Sequence, residues 1–140
     1  VGAFDLTTDF GKRAENRLRT EQVIWIVTVN EQGVPQPSPV WFHWDNEAIL
    51  IHSQPITPKV RAIRANPNVA LHFNATESGG DVIVIGGKAT LVNEGQISIP
   101  TEDYATKYAS GNAGLGLTND TFAQDYSQLI RIEPSTLRGF

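Results

Sequence analysis

The chain has neither cysteine nor methionine among its 140 residues. The first absence removes disulfides, thiolate nucleophiles, iron–sulfur clusters and the common structural zinc sites together. Positive charge is also scarce: 11 Lys and Arg stand against 15 Asp and Glu, giving a formal charge of -4 and a pI near 5.3. Affinity for a phosphate backbone comes from clustered cations, so nucleic acid is not an expected partner. No apolar run approaches the roughly 18–20 residues that cross a bilayer, so no membrane partner is expected either. The first residues lack the charged-then-apolar pattern of a secretion signal, which makes the cytoplasm the expected location. Hydrolytic and metal signatures are missing too: no G-x-S-x-G, H-E-x-x-H or Walker sequence occurs, and no G-x-G-x-x-G follows a strand.

What is present reads as one domain over 1–140, with 1–7 expected as a flexible N-terminus. A chain of this length buries roughly 68–70% of its unfolded surface, enough for a single core. Residues 8–20 place Phe10, Ala14 and Leu18 at four-residue spacing and predict a helix. The period then drops to two. Gln22–Asn30, Val34–Trp44 and Ala48–Ser53 predict a meander of three strands, with turns at Glu31-Gln32-Gly33 and Asp45-Asn46-Glu47. A short helix follows over 57–65, then strands at Val69–Phe73 and Asp81–Val92, the second interrupted by Gly86-Gly87 as a bulge or barrel corner. Helices are predicted over Thr101–Ala109 and Thr118–Tyr126, each with two aromatic rings on one face, and a last strand over Leu129–Ile132. The fold class is therefore mainly β (α+β), six antiparallel strands with short flanking helices.

Pro35, Pro37 and Pro39 alternate in the second strand. Alternate residues point their N–H groups to the same side, so the three missing donors lie along one edge, and that side cannot pair normally. The N–H groups of Gln36, Ser38 and Val40 point the other way, toward a strand or a ligand.

The segment Ser53-Gln54-Pro55-Ile56-Thr57-Pro58-Lys59-Val60-Arg61 carries the main chemical signal. Thr57 is a good N-cap, Pro58 suits the first helical position and Lys59 follows, so amides, dipole and ammonium converge on one anion, as a phosphate seat requires. Taken alone, Lys59 reads as a solvated surface lysine. Ser53 and Thr57 add hydroxyls, and Arg61 and Arg64 extend the positive charge. His43, His52 and His72 each fall in a predicted strand, without metal-ligand spacing, and read as half-buried strand histidines. His43 is kept as the one weak catalytic candidate, on the same face as Trp41. Gly111–Gly116 is glycine-rich but follows a helix, and reads as a connector or lid.

The order of these elements, with Q-P-S-P-V-W-F on the second strand, S-x-x-x-T-P-K-x-R after the third and G-G-K-A-T-L-V on the fifth, resembles the pyridoxamine-phosphate-oxidase-like flavin and deazaflavin oxidoreductases. The closing run Tyr126–Phe140 is similar to the actinobacterial branch that depends on the deazaflavin F420. The resemblance implies an FMN-binding-type split β-barrel and a homodimer with sites at the interface. It places the phosphate grip on Thr57, Pro58 and Lys59, with Val60 and Arg61 beside it, the ring along Ser38, Pro39, Val40 and Trp41, and the intervening loop at Ser53 and Gln54. Trp25, Tyr126 or the last strand of a partner would close the site. Where the phosphate oxidases carry Arg on the second strand this chain has Ser38, and it lacks their C-terminal Arg and Trp. Pyridoxamine phosphate is therefore not the expected substrate.

The expectation is an oxidoreductase moving a hydride between a bound F420, or alternatively FMN, and a small organic substrate. Such chemistry needs no nucleophile or metal from the protein, which suits the missing signatures. Arg61 and Arg64, with Lys12 and Arg13, would serve the anionic F420 tail. A noncatalytic flavin, deazaflavin or haem binder on the same barrel, or a plain interaction module, are the other readings.

Overall fold

In a computed structural model of the chain, residues 3–140 are described. The first helix, α1 (Asp9–Thr20), starts where the Thr8 hydroxyl accepts from the Gly11 N–H at 2.9 Å, and buries Gly11, Ala14 and Leu18. The hairpin β1 (Val23–Val29) and β2 (Pro35–Trp41) follows. After one irregular residue, Phe42, come β3 (His43–Trp44), β4 (Ile49–Ser53) and α2 (Pro58–Ala65). Strands β5 (Asn68–His72) and β6 (Ile83–Val92), helices α3 (Glu102–Gly114) and α4 (Asn119–Asp125), and strand β7 (Gln128–Gly139) complete the chain. No described helix is long and apolar enough to cross a membrane.

All pairings are antiparallel, in the order β2-β1-β5-β6-β7-β4-β3. Because β2 and β3 are separated by Phe42 alone yet stand at opposite ends of that order, the sheet must curl until its edges approach. The result is the expected split barrel, an open half-barrel of seven strands flanked by four helices. Inward residues such as Ile24, Ile26, Ile51, Leu71, Ile85, Ile130 and Ile132 fill its interior and are fully buried. Alternation along each strand places them there, and α1 and α2 close the core with Leu18, Val60 and Ile63.

The strand count rises from six to seven because the Val34–Trp44 run breaks at Phe42. The break is satisfied from α3. The Tyr108 hydroxyl accepts from the Phe42 N–H at 2.8 Å and lies 2.6 Å from the Gln22 carbonyl and 2.7 Å from the Phe42 carbonyl. Lys107 Nζ donates to the same Phe42 carbonyl at 2.8 Å. The expected three-strand meander is consequently two hairpins, with β4 paired to β7 rather than to β2.

The β1–β2 register settles the direction of the prolines. Asn30 N–H donates to the Val34 carbonyl at 3.1 Å, so bonded pairs recur at Thr28–Gln36, Ile26–Ser38 and Ile24–Val40. The amides of Gln36, Ser38 and Val40 are thus spent on β1, and Pro35, Pro37 and Pro39 line the free edge.

Two segments run longer than the sequence predicts. Helix α3 continues through Gly111 to Gly114, because Gly111 lies against the Trp41 indole: an added Cβ would fall 2.8 Å from the ring. The glycine-rich stretch is thus partly a packing surface rather than a connector. Strand β7 reaches Gly139 because Pro134, which has no N–H to offer, falls opposite Gly87 where the register of β6 shifts, at the expected bulge. Residues 1–2 of the expected flexible segment lie outside the described residues. Residues 3–7 make these contacts: Ala3 bridges Thr136, Phe4 packs on Trp44 with ring centroids 5.9 Å apart, and Asp5 accepts from the Thr7 N–H.

Replacing Tyr108 by Phe removes the acceptor for a buried amide at the break. We expect a loss of about 2 kcal/mol in unfolding free energy, measured by urea denaturation. An unchanged midpoint would show that the break is held some other way.

Candidate functional site

A cavity of about 400 Å³ opens where the two sheet edges approach. One wall is β2, through Pro39, Val40 and Trp41. The end of β4 and the start of α2 give a second wall of His52, Ser53, Gln54, Thr57 and Lys59. Helices α3 and α4 cover it with Tyr104, Leu115, Phe122 and Tyr126.

The α2 end is cationic and only partly satisfied. Thr57 accepts from the Val60 N–H at 3.2 Å, and its carbonyl takes the Arg61 N–H at 3.1 Å. Pro58 has no N–H, so one amide of the first turn, that of Lys59, remains uncommitted. Lys59 is half-buried, and no carboxylate lies within ion-pair distance of it among the described residues. Burial holds its ammonium below the usual lysine range. A half-buried cation without a counter-charge fits an arriving anion.

The far end is neutral and aromatic. Trp41 stacks on Tyr108 at 4.5 Å and lies 6.1 Å from Phe122, which stacks on Tyr126 at 4.7 Å. His52 meets Tyr104 edge-on at 4.8 Å. Burial lowers the His52 imidazole to about 4 and pushes the Tyr104 phenol well above its ordinary value, aided by Tyr108 and Tyr126. Both groups are therefore uncharged at neutral pH.

A sequence profile of the pyridoxamine 5'-phosphate oxidase family matches residues 10–139. The chain belongs to that family. Among solved structures, the haem storage protein HutZ from Vibrio cholerae is similar at 18% identity and a TM-score of 0.65, covering 94% of this chain and 95% of that one. An F420 reductase is similar at 22% identity and 0.65, over 89% and 94%. A FAD-binding protein from Mesorhizobium loti is similar at 15% and 0.59, over 90% and 88%. At these identities the likeness shows a shared fold, the split barrel. No curated protein matches the chain by sequence.

Against the sequence reading, the cavity of this family member gathers Pro39, Val40, Trp41, Ser53, Gln54, Thr57 and Lys59. Ser38 points with its amide to β1 and does not line the cavity. Val60 turns into the core. Pro58 and Arg61 face a neighbouring cavity of about 270 Å³, beside Asn30, Glu31, Gln32 and Gln36. The Ser53 hydroxyl is already committed to the Gln54 carbonyl at 2.8 Å. Arg64 is held by Glu94 at 2.6 Å and Arg13 by Asp81 at 3.1 Å.

His43 is not in the cavity. The break at Phe42 resets the alternation, and His43 pairs with Leu50 near Asp103, Lys107 and Asp45. Its pKa is lowered, chiefly by burial. Trp25 stacks with His72 and donates to Asn74, away from the cavity, whereas Tyr126 of the same chain forms part of the wall. Sequence reasoning missed Tyr104, Leu115 and Phe122 as lining residues, and set His52 aside. The aromatic pairing on α3 and α4 was visible, but nothing local tells which strand those faces cover.

The depressed His52 value sets a pH dependence. The unfolded chain takes the proton near pH 6.5 and the folded one only near 4, so stability is intact above about pH 6.5 and is lost as pH falls toward 4. Between pH 7.5 and 5 the loss amounts to about 2 kcal/mol. Urea unfolding across that range should show it, with a flatter profile in His52→Gln. Equal slopes in both proteins would assign the effect to other groups.

Proposed function

We propose that the protein binds a phosphorylated flavin-class cofactor in this cavity and uses it as an oxidoreductase toward a small organic substrate. The observation that carries the reading is the polarity of one cavity: an unpaired, half-buried ammonium at one end and neutral stacked rings at the other. A phosphorylated ring cofactor has the same two ends. Lys59, its own N–H and the Thr57 hydroxyl would hold the phosphate, and Trp41, Phe122 and Tyr126 would border the ring. When bound, such a ring supplies hydride transfer. The chain contributes orientation and, through its aromatic cover, exclusion of water.

Within the class, FMN is the better-supported cofactor. The long anionic tail of F420 calls for a track of free cations, and two of the four expected tail residues, Arg64 and Arg13, are already paired. The second reading, F420, is favoured by the closing run Tyr126–Phe140. The homodimer is carried as part of the proposal, supported by exposed Ile97 and Ile99, which sit beside Ser127 through the Ser98 N–H.

Titration of the purified protein with FMN, F420 and haemin, followed by fluorescence and absorbance, tests the reading. We expect FMN to bind at micromolar concentration or tighter. Lys59→Ala should weaken it about 10- to 100-fold, the cost of losing one charge-assisted contact to phosphate. Binding of haemin alone, or FMN binding indifferent to Lys59→Ala, would overturn it.

A further inference from the structure

The floor of the cavity holds an unusual pair of atoms. His52 is only 9% exposed, the fourth of the five residues of β4, with its partner Leu129 on β7. Its Nδ1 is sealed and has no hydrogen-bond partner among the described residues, and the hydroxyl of Tyr104, 2% exposed, is in the same condition. The two rings touch edge-on, and the other ring against His52 is Phe122, which offers no polar atom. Nε2 is not among the sealed, unpartnered atoms, and His52 lines the cavity. Nε2 is therefore the nitrogen presented to a ligand.

Where the imidazole proton sits follows from counting donors. With the proton on Nδ1, a buried N–H is sealed with no acceptor within hydrogen-bond distance among the described residues. With the proton on Nε2, the enclosed Nδ1 is a bare acceptor, no donor is sealed at that nitrogen, and the proton on Nε2 faces the cavity. The doubly protonated ring would place a charge among Tyr104 and Phe122, which burial opposes.

From this we infer that His52 is held as the neutral Nε2–H tautomer and donates a hydrogen bond to a carbonyl oxygen of the planar ring bound in the cavity, rather than serving as an iron or other metal ligand. A ligating histidine needs the Nε2 lone pair free and gives its other N–H to an acceptor. No acceptor stands at Nδ1 among the described residues. The inference rests on the flavin-class reading for the identity of the ring. It adds which protein atom recognises that ring, and it separates the flavin and haem alternatives offered by this fold. The neutral donor selects a ligand with an uncharged oxygen at that end, and His52 is a ligand-contacting residue in that role.

Two measurements test it. Long-range proton–nitrogen correlation spectra of the whole protein, labelled with ¹⁵N-histidine, report the tautomer directly, with His52→Gln used to assign the signal. A protonated Nε2 and a bare Nδ1 are expected at neutral pH, and FMN should shift the Nε2 resonance. A proton on Nδ1 would overturn the inference without touching the Lys59 anchor. In parallel, FMN is titrated into His52→Phe and His52→Gln after both are shown to melt cooperatively. The Gln amide nitrogen reaches near the Nε2 position, so affinity should stay within about threefold in His52→Gln and fall about tenfold in His52→Phe. Equal affinity of His52→Phe and the parent for FMN would contradict the donor role. If the parent bound neither FMN nor F420, the cofactor reading and the proposed carbonyl contact would both fall, and the tautomer assignment would be judged by the spectra alone. A haemin absorption band that disappears in His52→Phe would show Nε2 to be a ligand and overturn the inference.

Discussion

A tyrosine hydroxyl at a strand break organises this fold. Phe42 cannot continue the ladder, because the strand before it belongs to one edge of the sheet and the strand after it to the other. Its buried amide and carbonyl must find partners elsewhere, and Tyr108 and Lys107 on α3 provide them. That arrangement fixes three things together: the sheet closes, α3 is anchored across the closure, and the aromatic face of α3 comes to lie over Trp41 and His52. The cavity is the space left where the two edges approach beneath that face. Gly111 allows the fit, since a side chain there would collide with the Trp41 ring.

The cavity's electrical asymmetry follows from the same construction. Its cationic end depends on a short helix whose first turn begins with a residue that has no N–H and continues with an ammonium that has no carboxylate in ion-pair range among the described residues. Its other end is formed by rings brought from three elements, and burial there favours neutral forms of both His52 and Tyr104. Anion at one end and flat uncharged surface at the other is a narrow specification. On the proposed reading, it suits an amphipathic ring compound carrying phosphate.

Much of this was legible in the residue order, where the signal is local. Alternating prolines mark an edge strand, and β2 is one. Thr57-Pro58-Lys59 marks a capped helix start with a cation, and α2 begins there. Gly86-Gly87 marks a bulge, and the register shifts between them. The failures come from long-range constraints. Alternation places His43 beside Trp41 only in an unbroken strand, and the break at Phe42 is satisfied by Tyr108, 66 residues away. His52 carries no distinguishing neighbour in sequence; it becomes notable because one of its nitrogens is buried without a partner and its ring lies against Tyr104 and Phe122. The last strand is predicted only to Ile132, yet β7 pairs along β6 to Gly139, with its proline opposite the bulge. Gly111–Gly114 reads as connector, yet it is helical because a ring fills the place of the missing side chain.

The central claim is that one cavity holds the phosphate at Lys59 and the ring against Trp41, Phe122 and Tyr126. A crystal structure of the protein with FMN bound tests it most directly. The account expects the phosphate at the Lys59 ammonium and the Thr57 hydroxyl, with the ring bordered by the aromatic wall and a ring oxygen toward His52. A phosphate seated elsewhere, at Arg61 in the neighbouring cavity for instance, or a cavity filled by its own side chains while FMN lies outside, would contradict it.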